Sequence, residues 1–355
     1  TSDYIDCNQL MKAMNSGMQY SEQHLATTGQ SVMDEESFVT MDTHTLQDSI
    51  ATATLDTTDR VFVIPAYLDI TLHTNAQKID FKDAELTNVL GEVIIRDQSI
   101  NLSNLKMDSN IGRGNMTMFY TAKDYSGASV GFDLDMEDVM VEKLIGLYPA
   151  IDTLVPMLRS FEGVVDCQVT ATCKMDSTMS LELPSLHSAC YLHGENMVLL
   201  DGETFTEISK TLMFKNKKRN VIDSISVDLA IKDNKIKVFP FLVEMDRYKV
   251  AVGGTHNLDM TFNYHLSVLK SPVPFKLGID ITGNLDDFKY KIVKCRYKDL
   301  FKPAKEAELD STRTNVRKEI RESIRNQIKE TAPELVSSLS PNHTVTPPEG
   351  ETNAL

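Results

Sequence analysis

The chain has 355 residues, 41% apolar and 25% charged, with 51 acidic against 36 basic side chains and a net charge of −15. That length accommodates two average domains or one continuous β unit, and the apolar share can bury a sizeable core. The acidic balance makes the chain a poor candidate for nucleic acid, because a phosphate backbone demands a basic face. The five cysteines include no CxxC and no zinc-finger spacing. Cys167 and Cys173 are an even number apart, so a strand would turn both to one face, and both read as core residues. A single disulfide involving Cys190 is the lesser alternative. No apolar run is long enough to span a membrane as a helix, and no signal peptide opens the chain. Its start at Thr1-Ser2-Asp3 reads as a fragment or processed form.

Residues 1–16 read as a short strand entering a short helix, with Asn8 as cap and Leu10, Met11 and Met14 on one helical face. Residues 17–58, rich in Ser, Thr, Gln, Asp and Met, read as a polar insertion. Its Asp34-Glu35-Glu36 lacks the spaced partners of a cation site. Strand pattern begins at 60–65 and continues over 66–74, 78–89, 91–96, 99–109, 114–122 and 128–136, with turns at Asp97-Gln98 and 124–127. Over 139–161 the apolar period becomes helical (Val141, Leu144, Ile145, Tyr148, then Ile151, Leu154, Val155, Leu158), broken by Pro149 and Pro156. This insert lacks a basic polar face, so it is expected to cap the sheet rather than lie on a membrane.

Alternation returns over 163–173 and is expected to continue through 179–183 and 186–193. His187 and His193 share a strand face, but no third ligand is in register for a metal. Residues 201–214 read as a helix, followed by the basic turn KNKKRN at 215–220. Its cations suit the helix C-terminus, with an anion or lipid-headgroup site as the alternative.

From Val221 to Leu285 apolar residues fall on every second position, as in Ile225, Val227, Leu229, Ile231 and again in Phe262, Tyr264, Leu266. This predicts an antiparallel meander with one apolar side, turning at 232–235 and 246–247. Gly253-Gly254 reads as a turn or β-bulge. Strands over 275–282 and 288–294 follow, and Pro303 opens a long charged helix over 304–331. Leu309, Val316, Ile320, Ile324 and Ile328 form its narrow apolar stripe. The tail 341–355 is expected to be disordered.

Ile95-Arg96-Asp97-Gln98-Ser99-Ile100-Asn101-Leu102 parallels Ile231-Lys232-Asp233-Asn234-Lys235-Ile236-Lys237-Val238, and Leu105 and Met107 match Phe241 and Val243 at the same offset. A hairpin unit used twice implies an elongated architecture that buries itself by stacking. No nucleophile elbow, HExxH, Walker loop or dinucleotide fingerprint occurs, so neither an enzyme nor a cofactor is expected. Trp is absent, which disfavours a carbohydrate platform.

Several stretches carry a family resemblance: Phe62-Val63-Ile64-Pro65-Ala66-Tyr67-Leu68-Asp69-Ile70; Leu86-Thr87-Asn88-Val89-Leu90-Gly91-Glu92-Val93 through Asn110-Ile111-Gly112-Arg113-Gly114; Leu200-Asp201-Gly202 with Leu212-Met213-Phe214; and Val250-Ala251-Val252-Gly253-Gly254-Thr255-His256-Asn257-Leu258-Asp259. In that order they resemble the C-terminal region of the AsmA-like family, envelope proteins of Gram-negative bacteria, in the form found in Bacteroidetes. The resemblance covers about Phe62 to Phe301, and the polar insertion at 17–58 departs from it.

The resemblance implies a TamB-type bridge protein in the periplasm, tethered to the inner membrane by an N-terminal segment absent from this chain. It implies a role in outer-membrane biogenesis, with phospholipid or another acyl-chain lipid carried in an apolar β-groove and envelope proteins as further partners. It offers no catalytic or metal residues.

The expected fold is mainly β: an elongated, curved antiparallel sheet forming a repeating β-groove, with short helical inserts and a long C-terminal helix. The expected division is 1–60, a β-groove module at 61–300 (about 61–138 and 163–300 around the insert 139–161), the helix at 301–335 and a tail at 336–355. Candidates for the groove lining are Val165, Val169, Ile225, Val227, Leu229, Ile231, Phe262, Tyr264, Leu266, Ile279 and Ile281. A scaffold whose sheet packs its own core and binds a protein partner is the alternative.

Overall fold

The computed structural model describes residues 2–6, 9, 61–81, 84–143, 161–199, 220–245, 248–257, 261–271, 276–284 and 287–336. Gln9 apart, the expected helices at 8–16 and 201–214, the insertion at 17–58, most of the insert at 139–161, the basic turn at 215–219 and the tail lie outside the described residues.

One curved, open sheet of 15 strands makes up most of the molecule. In chain order the first strands are β1 (Ser2–Asp6), β2 (Asp69–Phe81), β3 (Ala84–Arg96), β4 (Ser99–Ser109), β5 (Gly112–Asp124) and β6 (Gly127–Met140). Next come β7 (Phe161–Glu162), β8 (Val164–Asp176), β9 (His187–Leu199), β10 (Asn220–Lys232) and β11 (Lys235–Met245). The last four are β12 (Tyr248–Asn257), β13 (Phe262–Lys270), β14 (Leu277–Gly283) and β15 (Phe288–Val293). From β2 to β15 the sheet is antiparallel, and strands lie in chain order apart from the two-residue β7, which pairs with β9 beside β8. β1 forms one edge, pairing in parallel with β2. A long helix, α1 (Pro303–Thr331), and the short α2 (Pro333–Val336) follow.

The two hairpins that match in sequence also match in geometry. Asp97 and Gln98 turn at φ 51° and 59°, and Asp233 and Asn234 at φ 53° and 59°. Two consecutive left-handed residues make a type I′ turn, whose twist suits the flanking strands. At the same offset, the β4–β5 register breaks between Leu102 and Leu105, and the β11–β12 register between Val238 and Phe241.

Several expected boundaries move. The segment 61–64 is not a strand; it crosses the turn end of the sheet. There Val61 N–H donates to Ser177 O at 3.2 Å, and the Tyr120 hydroxyl donates to Phe62 O at 3.0 Å while accepting Phe62 N–H at 3.1 Å. The breaks expected at 75–77 and at Leu90 do not occur, and the strand expected over 78–89 divides instead, with β2 ending at Phe81 and β3 beginning at Ala84, which pair with each other. Residues 179–183 are not a strand. Asp176 Oδ1 accepts Thr178 N–H at 2.8 Å and Ser180 N–H at 3.0 Å, a turn that leads into a single 3-10 turn at Leu183–Ser185.

Gly253-Gly254 is no turn either: β12 runs through it, pairing with His265 and Tyr264. The irregularity lies opposite, in β11, where Pro240 has no N–H for the ladder. A Cβ on Gly253 would lie 2.9 Å from Pro240 Cα. Gly253→Val is therefore expected to cost about 1–3 kcal/mol, read as a lower urea midpoint, because backbone rather than a flexible side chain must give way.

The pleat divides the sheet into two unlike faces. On one, α1 crosses β4, β5, β6, β8 and β9. Small or polar residues there (Ser99, Asn101, Thr170, Ala189) let the helix approach, and Ile320, Ile324 and Ile328 pack with Ile94, Phe119 and Ala189. Pro303 starts the helix at a position where a missing N–H costs nothing, and Lys329 sits at the negative end of its dipole.

Three arginines one turn apart tie the helix down. Arg317 donates to Gln168 Oε1 at 3.0 Å and to Asp228 Oδ1 at 3.2 Å, Arg313 lies 3.5 Å from Asp228 Oδ2, and Arg321 donates to Asp133 at 2.9 Å. Burial pushes the Asp228 carboxyl above its ordinary pKa, against the opposing pull of Arg313 and Arg317. The other face is apolar.

Candidate functional site

Register places all eleven candidate lining residues on the apolar face. Ile225 pairs with Gly194, which pairs with Val165; Leu229 pairs with Cys190, which pairs with Val169. Leu229 also faces Val238 on β11, and Val238 leads through Gly254 to Tyr264 and Ile281. Leu266 pairs with Ile279. Because the side-chain period of a strand is two, Val227, Ile231 and Phe262 follow their neighbours to this face.

Seven of the eleven are buried: Val165, Ile225, Leu229, Ile231, Tyr264, Ile279 and Ile281. Val169, Val227, Phe262 and Leu266 are half-buried. They fall into more than one packing cluster. Val165 and Ile225 pack with Val139 and Met197, while Leu229, Ile231 and Tyr264 pack with Ala171, Ile236 and Val238. Ile279 and Ile281 pack with Val250 and Val268.

The face is wider than the candidate set. The pairs Ile100–Tyr120, Leu102–Met118 and Leu105–Met116 carry it across β4 and β5, and Met118–Phe132 and Met116–Leu134 carry it to β6. The β6–β8 pairs Leu134–Val169 and Met136–Cys167 then join it to the second hairpin set. These residues show the same alternation in the sequence, and the internal repeat maps Ile100, Leu102 and Leu105 onto Ile236, Val238 and Phe241. Exposure rises at both margins, to 49% at Leu72 on β2 and 63% at Ile292 on β15. At the turn end Val61 and Ile64 pack against Tyr120, Ala122 and Ala128 and close that end of the face.

Tyr264 and His256 are joined by a 2.9 Å hydrogen bond between hydroxyl and Nδ1. Cys167, Cys173 and Cys190 are free thiols, and both Cys167 and Cys173 are buried, as expected for core residues. Burial pushes the Cys167 thiol up to about 12, and Cys190 moves in the same direction for the same reason. At pH 8 the thiolate of Cys167 is about a thousandfold scarcer than for an ordinary cysteine. Native protein is expected to leave Cys167 unmodified by a disulfide reagent that labels it at once in urea, as peptide mass mapping can check.

The sequence reading missed one polar constellation on the opposite face. His265 Nδ1–H donates to Asp280 Oδ1 at 2.6 Å, and the Ser267 hydroxyl donates to His265 Nε2 at 2.9 Å. The order Asp–His–Ser matches a nucleophile relay. Here, however, Ser267 is fully buried, Arg296 N–H already donates to Nε2 at 3.2 Å, and Tyr297 N–H donates to Ser267 Oγ at 3.0 Å. Arg296 also pairs with Asp280, and Tyr297 stacks edge-on against the His265 ring. The cluster thus clamps the link between β15 and α1 onto the sheet. Strand spacing places His265 and Ser267 on one face, but Asp280, Arg296 and Tyr297 come from later elements that sequence spacing alone does not bring together.

Among the described residues no three His, Cys, Asp or Glu side chains are grouped to hold a metal. His193 hydrogen-bonds Ser226 at 2.9 Å on the helix-side face. Among the described residues no helix is long and apolar enough to cross a membrane. Comparisons with protein-family models, curated proteins and solved structures give no match.

Proposed function

We propose that this chain is a non-enzymatic envelope protein that carries or shields phospholipid acyl chains along its apolar sheet face, in the service of outer-membrane biogenesis. The observation that supports this reading is the uncharged band of side chains running from β4 to β14 on one face, while α1 covers the strands from β4 to β9 on the other. An acyl chain needs a long apolar surface and no specific polar contacts. The half-buried Met107, Met116 and Met118 give part of that surface a side chain that adapts to irregular shapes. The periplasmic location, the inner-membrane tether and the AsmA-like assignment rest on the sequence resemblance.

Native mass spectrometry of the purified chain tests the reading: adducts of phospholipid mass are expected, lost on organic extraction. The protein has no tryptophan, so Leu266→Trp creates a single reporter at a half-buried lining position. Brominated phospholipid is expected to quench it. A chain that carries no lipid, and whose introduced indole emission ignores brominated lipid, would sink the proposal.

A second reading is favoured by the near-complete burial of Ile236, Ile279 and Leu229 on the same face. In it the curved sheet seals its own core and serves as a scaffold for an envelope protein partner.

A further inference from the structure

β15 ends the sheet with a row of backbone groups that no strand of the described residues pairs, and the strand at the opposite edge is the five-residue β1. The side chains of β15 sort sharply by face. Tyr290 pairs with Ile281 and Ile292 with Ile279, so both extend the apolar face, and they are 51% and 63% exposed. Lys289 and Lys291 point the other way, exposed, beyond the strands that α1 crosses, and neither has an ion-pair partner among the described residues. In a chain of net charge −15 this edge carries two exposed lysines side by side on one face, with Lys294 following.

Three occupants can be weighed against that pattern. A second copy adding its own β15 antiparallel, apolar face to apolar face, would set lysines against lysines across the seam. Like charges directly opposite are unfavourable, and edge lysines are a common device against such self-pairing. A bilayer would suit Tyr, Ile and Lys side chains, but an open edge sunk in hydrocarbon leaves its N–H and C=O groups unsatisfied. An extended segment that adds as a strand satisfies those groups, covers Tyr290 and Ile292 with its apolar residues, and meets Lys289 and Lys291 with carboxylates.

We propose that the β15 edge is a docking site for an extended segment of another protein in which apolar residues alternate with acidic ones. This inference stands whether or not lipid occupies the apolar face.

The probe is an end-capped, fluorescently labelled octapeptide of alternating valine and glutamate, titrated by anisotropy, with hydrogen exchange followed at 288–293. The peptide is expected to bind and to slow exchange of the β15 amides. The same peptide with lysine in place of glutamate, or with alternate backbone nitrogens methylated, is expected not to bind. The double variant K289E/K291E, checked for native unfolding behaviour, is expected to bind the glutamate peptide about tenfold more weakly or worse. Equal binding of the lysine peptide, or no protection of the β15 amides, would overturn the proposal. So would a concentration-dependent dimer of the native chain that protects the same amides. Protection of those amides by phosphatidylglycerol vesicles instead of the peptide would assign the edge to a membrane and overturn it equally.

Discussion

Replacing Arg313 and Arg317 together by methionine is expected to lower the unfolding free energy by about 3–5 kcal/mol. Both guanidiniums face Asp228, whose side chain is only 12% exposed between α1 and the sheet. With both cations gone, that carboxylate is buried without a partner, and its pKa rises further because the two groups now pulling it down are absent. Either single variant is expected to cost much less, since one arginine still neutralises the charge. Adding Asp228→Leu to the double variant is expected to restore most of the loss, because an apolar set of similar volume has no charge to desolvate. Urea unfolding of the native protein and the four variants measures this. A double variant no weaker than the sum of the singles would mean that the arginines act independently of Asp228.

Leu229→Glu is expected to cost about 4 kcal/mol or more at pH 8. Leu229 packs with Ile231, Ile236, Val238 and Tyr264, so the substitution removes buried contacts and brings in an unpaired carboxylate. Burial raises the carboxyl pKa above its unfolded value, so the folded state takes up a proton more readily than the unfolded chain. The added electrostatic cost is therefore full above the raised pKa and fades as pH falls through it. Relative to the native protein, the variant should be less impaired at pH 5 than at pH 8. A cost below about 1 kcal/mol with no pH dependence would mean that position 229 meets water, a trough open at its floor. The same substitution is expected to abolish lipid retention, because a charge at mid-face interrupts the acyl path.

Much of this architecture was legible because a strand with one buried face has to alternate. Ile225 through Ile231 and Phe262 through Leu266 are read correctly from that rule alone. The Asp-Gln and Asp-Asn pairs marked their turns because few residue pairs tolerate two left-handed conformations in succession. The helical stripe ending in Ile320, Ile324 and Ile328 is the set that α1 buries.

What stayed hidden depended on neighbours far away in sequence. Gly253 resembles a turn until Pro240 is seen pressing on it from the next strand. Asn75-Ala76-Gln77 has the composition of a loop, yet β2 holds it in register with β3. The residues 61–64 have strand composition but meet Tyr120 and Ser177 rather than a ladder. Nothing in the local sequence singles out Asp133 and Asp228, and only the arginines of α1, on a distant helix, make them structural.

The sheet's neighbour order has a consequence for how the molecule forms. From β8 to β15 each strand pairs with the strand just made, so contact order is low and the sheet can zip up vectorially as the chain emerges. The ion pairs of α1 with Asp133 on β6 and Asp228 on β10, and its hydrogen bond to Gln168 on β8, instead close loops of the order of a hundred residues, and loop closure delays such contacts. In pulse-labelling exchange, the amides of the late hairpins should gain protection before those of Pro303–Thr331. The helix would then act as the closing bolt of a sheet already assembled, and its removal should leave a slower-settling but still strand-rich chain.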